Sequence, residues 1–233
     1  MLGLFAKKVG MTQIFDEGGN MVPVTVIRVD PNVVIANKTE ETDGYKAVVV
    51  GLDDQKENRI TKPYAGQFKK TSPHKAPPKD KKTKIKILPP KRIIREIDIS
   101  PKKKIRELRD FEKEVAVGDS LGVEVLEGIR YVDVYGVSKG KGFQGVMRRH
   151  GFSGGRKTHG SKFHREPGST GQATYPGKTF KNTKLPGRMG REKVTVMSLR
   201  VEKLDIEKQL ILVRGSVPGN NKGLVLIRAA VKR

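Results

Sequence analysis

The segment from residue 136 to residue 190, called the arm below, constrains the fold of this chain more than any other stretch. Its 55 residues include 12 lysines and arginines, one acid (Glu166), 13 glycines and three histidines. It has too few aliphatic side chains to offset the conformational entropy lost when so much flexible backbone becomes ordered. Because strand-like runs flank it, the arm is predicted to leave a folded body and return to it, held in place by a polyanion.

The charge of the whole chain points to the same kind of partner. The 233 residues carry a net charge of +23, of which the arm supplies 12 − 1 = +11 and the other 178 residues supply 36 − 24 = +12. The arm is therefore about three times as densely charged as the rest. Such a concentration of cations is typical of proteins that bind nucleic acid.

Several classes of protein are excluded by what the chain lacks. It contains no cysteine, which excludes a disulfide scaffold, thiolate metal ligands and a cysteine nucleophile. The first residues, MLGLFAKKVGMTQIF, contain no apolar run of signal-peptide length, and no later run approaches the length of a membrane span. We therefore expect a cytoplasmic protein with no membrane partner.

Short apolar runs separated by turn residues predict a mainly β body outside the arm. The predicted strands are residues 11–15, 21–29, 33–37, 45–50, 93–99, 121–126, 129–137, 194–199, 209–214 and 224–230. Short helices are predicted at 62–70 and 102–114. This pattern favours an antiparallel barrel or sandwich whose core is shared by residues 1–135 and 191–233.

A second basic region precedes the arm. Residues 69–104 hold 14 lysines and arginines, three acids and six prolines. The Pro-Pro pairs prevent regular structure locally, so residues 71–90 are predicted to form an extended basic loop. The sequence leaves open whether this loop is a solvated linker or a second contact with nucleic acid.

One glycine pattern in the arm resembles a nucleotide-binding loop. Residues 140–145 match G-x-G-x-x-G and follow a predicted strand. A dinucleotide site also needs a longer helix and an acid that ends a second strand. Here the helical run breaks at Gly151, and Glu166 follows no apolar strand. Gly142 also occupies the place of the Ser or Thr that a P-loop requires, so no nucleotide cofactor is predicted.

The three histidines of the arm, His150, His159 and His164, could be metal ligands or general bases. A metal site usually needs a carboxylate or Cys nearby and a rigid support, and a catalytic base needs a third group that orients it. Here Glu166 is the only carboxylate nearby, and it lies on a glycine-rich segment. We predict no metal, no catalytic residue and no small-molecule substrate. Hydrogen bonding to phosphate or ribose, or stacking on bases, suits them better. An enzyme acting on nucleic acid and a DNA-compacting protein remain the alternatives.

The cations of the arm lack the interspersed acids of an ordinary solvated surface, which favours contacts with phosphates. Aromatic residues lie among them and could stack on bases or form small local clusters. The predicted RNA-binding residues are Lys139, Lys141, Arg148, Arg149, His150, Arg156, Lys157, His159, Lys162, His164, Arg165, Gln172, Tyr175, Lys178, Lys181, Lys184 and Arg188.

Several blocks of sequence resemble one family in order along nearly the whole chain. They are GLFAKKVGMTQIFDEGGNMVPVTVI, SKGKGFQGVMRRHGF, THGSKFHREPGSTGQ, PGKTFK, LPGRMG, VTVMSL and LVLIRAAVKR. With these blocks the chain resembles bacterial large-subunit ribosomal protein L three.

This resemblance implies a translation-protein-type antiparallel β-barrel with a long, mostly irregular basic extension and few short helices. It implies a structural protein without enzymatic activity that binds large-subunit rRNA of the 23S type near its 3′ end. Such a protein helps to nucleate subunit assembly, adjoins other large-subunit ribosomal proteins, and extends its arm toward the peptidyl-transferase centre. Residues 171–177 would be the innermost part of the arm.

The chain departs from the family in two places. Some relatives carry a methylated Gln in an Asn-Gln-Thr sequence directly before the Pro-Gly of this innermost part. Here Ala173, Thr174 and Tyr175 occupy those positions and Gln172 aligns with an earlier, unmodified Gln, so we expect the methyl group to be absent from a mass spectrum. The loop at 71–90 is also longer and more basic than in many relatives, and we assign it to extra rRNA contacts.

Overall fold

The computed structural model describes residues 2–69 and 99–232. The predicted basic loop at 71–90 and nearly all of the predicted strand at 93–99 lie outside the described residues. The strands are β1 Gly3–Phe15, β2 Met21–Arg28, β3 Asn32–Lys38, β4 Ala47–Asp54, β5 Lys102–Arg109, β6 Ser120–Leu121, β7 Tyr131–Val137, β8 Gly142–Gln144, β9 Gly187–Met189, β10 Lys193–Asp205, β11 Leu210–Arg214 and β12 Leu224–Ala229. The helices are α1 Glu40–Asp43, α2 Lys62–Ala65, α3 Val146–His150 and two 3₁₀ turns, Glu57–Arg59 and Val123–Leu126.

Six strands close into an antiparallel barrel in the order β1-β12-β7-β10-β11-β2. They come from the beginning, the middle and the end of the chain, so the barrel is assembled from segments far apart in sequence. Alternate residues point inward, and Leu4, Ile27, Val134, Ile211 and Ile227 have no exposed surface. The predicted mainly β fold with an antiparallel barrel is thereby confirmed.

A second sheet, ordered β5-β4-β3-β6, packs against the barrel. Val34, Val50 and Leu108 belong to the same apolar cluster as the barrel interior. The sheet buries a smaller cluster that includes Ile35 and Phe68. Both faces of this sheet are therefore partly covered.

Asn32 fastens the sheet to the barrel at the start of β3. Its side chain is fully buried, its amide nitrogen donates to the Phe5 carbonyl (2.9 Å), and its oxygen accepts from the Phe5 N–H (3.1 Å). A buried amide with both ends bonded avoids the desolvation penalty of an unpaired polar group. The position of the sheet on the barrel is fixed by this pair of bonds as well as by apolar packing.

The predicted helix at 102–114 is wrong, because residues 102–109 form strand β5 against β4. Lys102 is buried and its ammonium lies 2.6 Å from the Asp54 carboxylate, while Leu108 fills the core. The charged residues of this segment suggest an exposed helix, but pairing with β4 and burial of these two side chains outweigh local propensity.

The predicted strand at 121–126 is also wrong beyond its first residue. The chain leaves β6 at Leu121 and continues as the 3₁₀ turn Val123–Leu126. Val123, Val125 and Leu126 are all buried in the main core. A strand would place the side chains of Val125 and Leu126 on opposite faces, whereas the 3₁₀ turn directs both side chains into the core. In the described part of the chain, no helix is long and apolar enough to cross a membrane.

Candidate nucleic-acid interface

The arm leaves the barrel as a continuation of β7 and returns into β10, two strands that pair with each other. Just beyond the barrel, β8 and β9 form a short two-stranded antiparallel sheet in which Phe143 faces Arg188. The N–H of Ser138 donates to the Glu192 carbonyl and that of Lys141 donates to the Met189 carbonyl, both at 2.9 Å. Residues 136–144 and 187–190, called the root of the arm, are therefore an ordered extension of the barrel.

Glycine is required where the two chains of the root touch. Gly190 has a φ of 74°, and a Cβ there would lie 2.1 Å from the Lys139 carbonyl oxygen. A Cβ on Gly187 would lie 2.6 Å from the Arg149 guanidinium. A side chain at position 190 would push the two chains apart, so this glycine allows their close approach, whereas one at position 187 would displace only the flexible end of Arg149.

Helix α3 fastens the outgoing chain of the arm to the returning chain. It spans five residues and ends at Gly151, whose φ is 76°. The Arg149 guanidinium donates to the Leu185 carbonyl at 2.7 Å, and His150 Nε2 lies 3.1 Å from the same oxygen. These two predicted RNA-binding residues are half-buried and contact the arm itself, while their contact with RNA stays a prediction.

A second closure lies beyond α3. The Gly155 N–H donates to the His164 carbonyl at 3.2 Å. A Cβ on Gly154 would lie 2.4 Å from that carbonyl, and one on Gly155 would lie 2.1 Å from the Phe163 carbonyl. Residues 155–164 therefore form a closed loop that depends on two adjacent glycines.

The distal segment, residues 165–184, contains no helix or strand and is fully described. Its side-chain hydrogen bonds are local, from Ser169 to the Gly171 carbonyl and from Thr183 to the Phe180 carbonyl, each at 2.7 Å. The Tyr175 side chain is 91% exposed. This segment has no apolar core of its own.

The structure places the predicted RNA-binding residues in four groups along the arm. At the root lie Lys139, Lys141 and Arg188; on α3 lie Arg148, Arg149 and His150; on the closed loop and directly after it lie Arg156, Lys157, His159, Lys162, His164 and Arg165; on the distal segment lie Gln172, Tyr175, Lys178, Lys181 and Lys184. All except the half-buried Arg149 and His150 are exposed. Among residues 2–69 and 99–232, no ion pair involves a cation of the arm.

Sequence reasoning missed a basic cleft where the arm leaves the barrel. The cleft has a volume of about 950 Å³, and its lining includes Lys139 together with Lys104, Arg106, Arg191 and Lys193. Arg191 and Lys193 lie just past the arm boundary at residue 190. Lys104 and Arg106 lie on the strand mistaken for a helix. The positive charge of the arm therefore continues onto the body.

Lys8 adds to the charge near this cleft. Its side chain is buried, and its ammonium donates to the Val217 carbonyl at 2.7 Å. Burial lowers the pKa of Lys8, and the positive charge of Lys139 lowers it further. Lys8 therefore places a further cation near Lys139 at the root of the arm.

The alternative sites gain no support from the geometry. The glycine pattern at 140–145 spans β8 and leads into a five-residue helix rather than a long one. The histidines belong to different parts of the arm, since His150 lies on α3 and bonds back to Leu185 whereas His159 lies on the exposed loop. In the described residues, no group of three His, Cys, Asp or Glu side chains is placed to hold a metal ion.

Comparisons with known proteins agree on one family, and the relatives match along the whole chain. A family model described as Ribosomal protein L3 matches residues 96–208. The large ribosomal subunit protein uL3 of Treponema denticola is 52% identical over 233 residues, which cover 100% of this chain and 99% of the relative. Those of Treponema pallidum (strain Nichols) and Borreliella burgdorferi are 53% and 45% identical, covering 100% of this chain and 99% and 100% of the relatives.

Proposed function

The chain belongs to the ribosomal protein L3 family, and from this premise we propose that it is a structural constituent of the large ribosomal subunit in the cytoplasm, where its arm binds rRNA. The observation that carries this proposal is the arm itself. Its cations are almost all exposed, and acids do not compensate them. A surface of that kind is stabilised by a polyanion.

We assign the chain two functional parts. Residues 1–135 and 191–233 form the body, and residues 136–190 form the arm that enters the RNA. The root of the arm is fixed to β7 and β10 by backbone hydrogen bonds. The distal segment lacks such bonds and takes its final shape from the RNA fold, since RNA is recognised largely by shape, phosphate and ribose contacts.

Affinity comes mainly from neutralised phosphates. Each lysine or arginine that contacts a phosphate releases condensed counterions, which makes binding salt-dependent. The basic cleft at the arm root extends the same contact onto the barrel. Exposed aromatic residues such as Phe143 and Tyr175 offer stacking surfaces among these cations.

The finer role follows from the family. We propose that the protein binds near the 3′ end of the large-subunit rRNA, helps to nucleate assembly, and points residues 171–177 toward the peptidyl-transferase centre. Peptide-bond chemistry belongs to the RNA, so the protein itself is not an enzyme and needs no cofactor. Neighbouring large-subunit proteins adjoin its body.

The test is the salt dependence of binding by the full chain to a 3′ fragment of large-subunit rRNA. The arm variant replaces three exposed lysines of the distal segment with alanine, namely Lys178, Lys181 and Lys184. Each lysine that contacts a phosphate contributes about 0.7–0.9 to the slope of log K against log salt. If all three do so, the slope of the variant is shallower by about 2–3. The matched control replaces three exposed lysines of the body, Lys46, Lys56 and Lys208.

A wild-type slope near zero, or equal changes in the two variants, would contradict this function. Random duplex DNA bound as tightly as the rRNA fragment would indicate a DNA-compacting protein instead. Retention of the native chain on large subunits through a high-salt wash is the expected result in the assembled particle.

A further inference from the structure

The longest stretch of this basic chain without a lysine or arginine lies near its beginning. About one residue in five is Lys or Arg, so 19 residues should contain about four, but residues 9–27 contain none. The same stretch contains two acids, Asp16 and Glu17. It forms most of the β1–β2 hairpin and its turn, so the charge gap maps onto one surface feature.

The turn of this hairpin holds Asp16 in a defined place. The Asp16 carboxylate accepts from the Asn20 N–H at 2.8 Å, and the Gly19 N–H donates to the Asp16 carbonyl at 3.0 Å. The bond from the Asn20 backbone is the main reason that the pKa of Asp16 lies below its usual value. Asp16 is therefore anionic at neutral pH and stands beside Glu17 at the end of the hairpin.

The hairpin also exposes large apolar side chains. The exposed fractions are 53% for Met11, 67% for Phe15 and 58% for Met21. Met11, Gln13 and Phe15 are spaced two residues apart along β1, so their side chains share one face of the strand. Phe15 pairs directly with Met21 across the hairpin. The three side chains therefore lie on one face of the hairpin, with the polar Gln13 between Met11 and Phe15 and two acids at the adjoining turn.

This part of the hairpin projects beyond the closed region of the barrel. Strand β12 pairs with β1 over residues 3–7, whereas β2 pairs with β1 over residues 7–15. On the other side, β11 pairs with β2 over residues 24–28. Phe15 and Met21 therefore lie beyond the residues that pair with β11 and β12, whereas Met11 lies opposite Thr25, which still pairs with β11. All three side chains are exposed and accessible to a partner.

We propose that Met11, Phe15, Met21, Asp16 and Glu17, here called the hairpin surface, dock against a neighbouring large-subunit protein whose contact face is apolar and basic. This inference rests on the proposed function and names the chemistry of one partner. Exposed apolar side chains on one face beside acids suit a protein contact, because apolar burial drives association and opposite charges select the partner. An RNA backbone would be repelled by the two acids and would find no cation in residues 9–27.

The surroundings of the hairpin agree with a basic protein partner. Arg214 is the cation that interacts with Asp16, and its guanidinium also lies 3.8 Å from the Glu202 carboxylate. Its charge is therefore already partly balanced. By contrast, the exposed aromatics Phe143 and Phe180 of the arm each lie within two residues of a lysine in sequence. The molecule thus has an apolar, acidic surface and an apolar, basic one.

The first experiment uses the absence of native cysteine. Gln13→Cys places a single thiol at the centre of the hairpin surface, and Thr170→Cys places one at an exposed position of the distal segment. Each full chain is labelled with a short photo-crosslinker, assembled into large subunits and irradiated. We expect position 13 to crosslink to a protein peptide rich in Lys or Arg, and position 170 to crosslink to rRNA.

A crosslink from position 13 to rRNA, to an acidic peptide, or to nothing in assembled subunits would overturn the proposal. If the labelled chain fails to join large subunits at all, the proposed function falls as well. A chain that joins the subunits but leaves position 13 open to solvent removes the hairpin inference alone. The two failures are therefore distinguishable.

The second experiment changes the hairpin surface without changing the core. Two double variants are made. The serine variant combines Met11→Ser with Phe15→Ser, and the lysine variant combines Asp16→Lys with Glu17→Lys. The matched charge control is Glu127→Lys with Glu207→Lys, two exposed acids in turns elsewhere. Thermal unfolding verifies that each variant folds.

Each hairpin variant is expected to weaken binding of the crosslinked partner at least about tenfold, as loss of central interface residues usually does. Binding to the isolated rRNA fragment should stay within about twofold of wild type for the serine variant. An equal loss of rRNA affinity in that variant would place the hairpin on RNA and overturn the inference, and so would partner binding that neither variant changes. The charge control is expected to retain the partner.

Discussion

The ordered root of the arm can be tested by adding one methyl group. Gly190→Ala places a Cβ 2.1 Å from the Lys139 carbonyl oxygen, at a residue whose φ is 74°. Alanine in this left-handed region costs about 1 kcal/mol by itself. Relief of the clash requires the outgoing and returning chains to separate by about 1 Å, since contacts between carbon and oxygen normally exceed about 3 Å.

This separation acts on the two backbone hydrogen bonds beside it. They run from Ser138 to Glu192 and from Lys141 to Met189, each at 2.9 Å. Weakening one or both costs about 1 kcal/mol each. With the backbone strain, the root becomes less stable by about 2–3 kcal/mol, which corresponds to about 30- to 150-fold in the opening equilibrium.

Amide hydrogen exchange of the full chain without RNA measures that opening. The Ser138 and Lys141 amides of Gly190→Ala should exchange about 30- to 150-fold faster than in wild type, while barrel amides such as that of Ile227 change little. The matched control is Gly145→Ala, because φ at Gly145 is −68° and a Cβ there meets nothing within 4 Å. Its root amides should exchange at the wild-type rate.

Equal exchange in Gly190→Ala and Gly145→Ala would show that the root is not held by this contact. The reasoning would also fail if both variants matched wild type. A further consequence concerns RNA, because a loosened root must be ordered again on binding. The rRNA affinity of Gly190→Ala should fall, but by no more than the measured cost of opening the root.

Two further predictions concern the stability of the body. Ile227→Ala removes a fully buried barrel side chain and should destabilise the protein by about 2–5 kcal/mol in urea unfolding, whereas Val231→Ala, at an exposed site, should change stability by about 0.5 kcal/mol or less. The hydrogen bond from Lys38 lowers the pKa of Glu107 in the folded protein. This interaction therefore stabilises the fold fully above the usual carboxyl pKa, and the stabilisation is lost as pH falls through the lowered pKa of Glu107. Glu107→Gln should therefore lower the melting temperature at pH 7, with a difference that shrinks below about pH 4.5, while the exposed control Glu127→Gln should show little effect at either pH.

The barrel strands could be predicted because their apolar residues alternate with polar ones over several positions. Strand β12, LVLIRA, is an example in which Val225 and Ile227 are buried and their neighbours are less so. Strand β5, KKKIRELR, lacks this alternation, because its two apolar residues, Ile105 and Leu108, are three positions apart and pack into different clusters. Its assignment depends on pairing with β4, and such a contact between distant segments leaves little trace in local sequence.

The exposure of the arm was readable from its composition, but its internal order was not. The contact between Gly190 and Lys139 joins residues 51 positions apart, and that between Arg149 and Leu185 joins residues 36 positions apart. Glycine-rich sequence is compatible both with free loops and with close backbone approach. Only the fold shows which of the 13 glycines serve which purpose.

This internal order decides where the cost of RNA binding falls. Fixing the backbone of one residue costs roughly 1–2 kcal/mol, so every residue ordered in advance reduces what phosphate contacts must offset. The root and the closed loop at 155–164 are held by backbone hydrogen bonds, whereas the hydrogen bonds of residues 165–184 are local and involve side chains. The cost therefore concentrates in the distal segment, at the end of the arm farthest from the barrel along the chain. Binding should proceed from root to tip, because each newly seated part shortens the stretch that remains to be ordered.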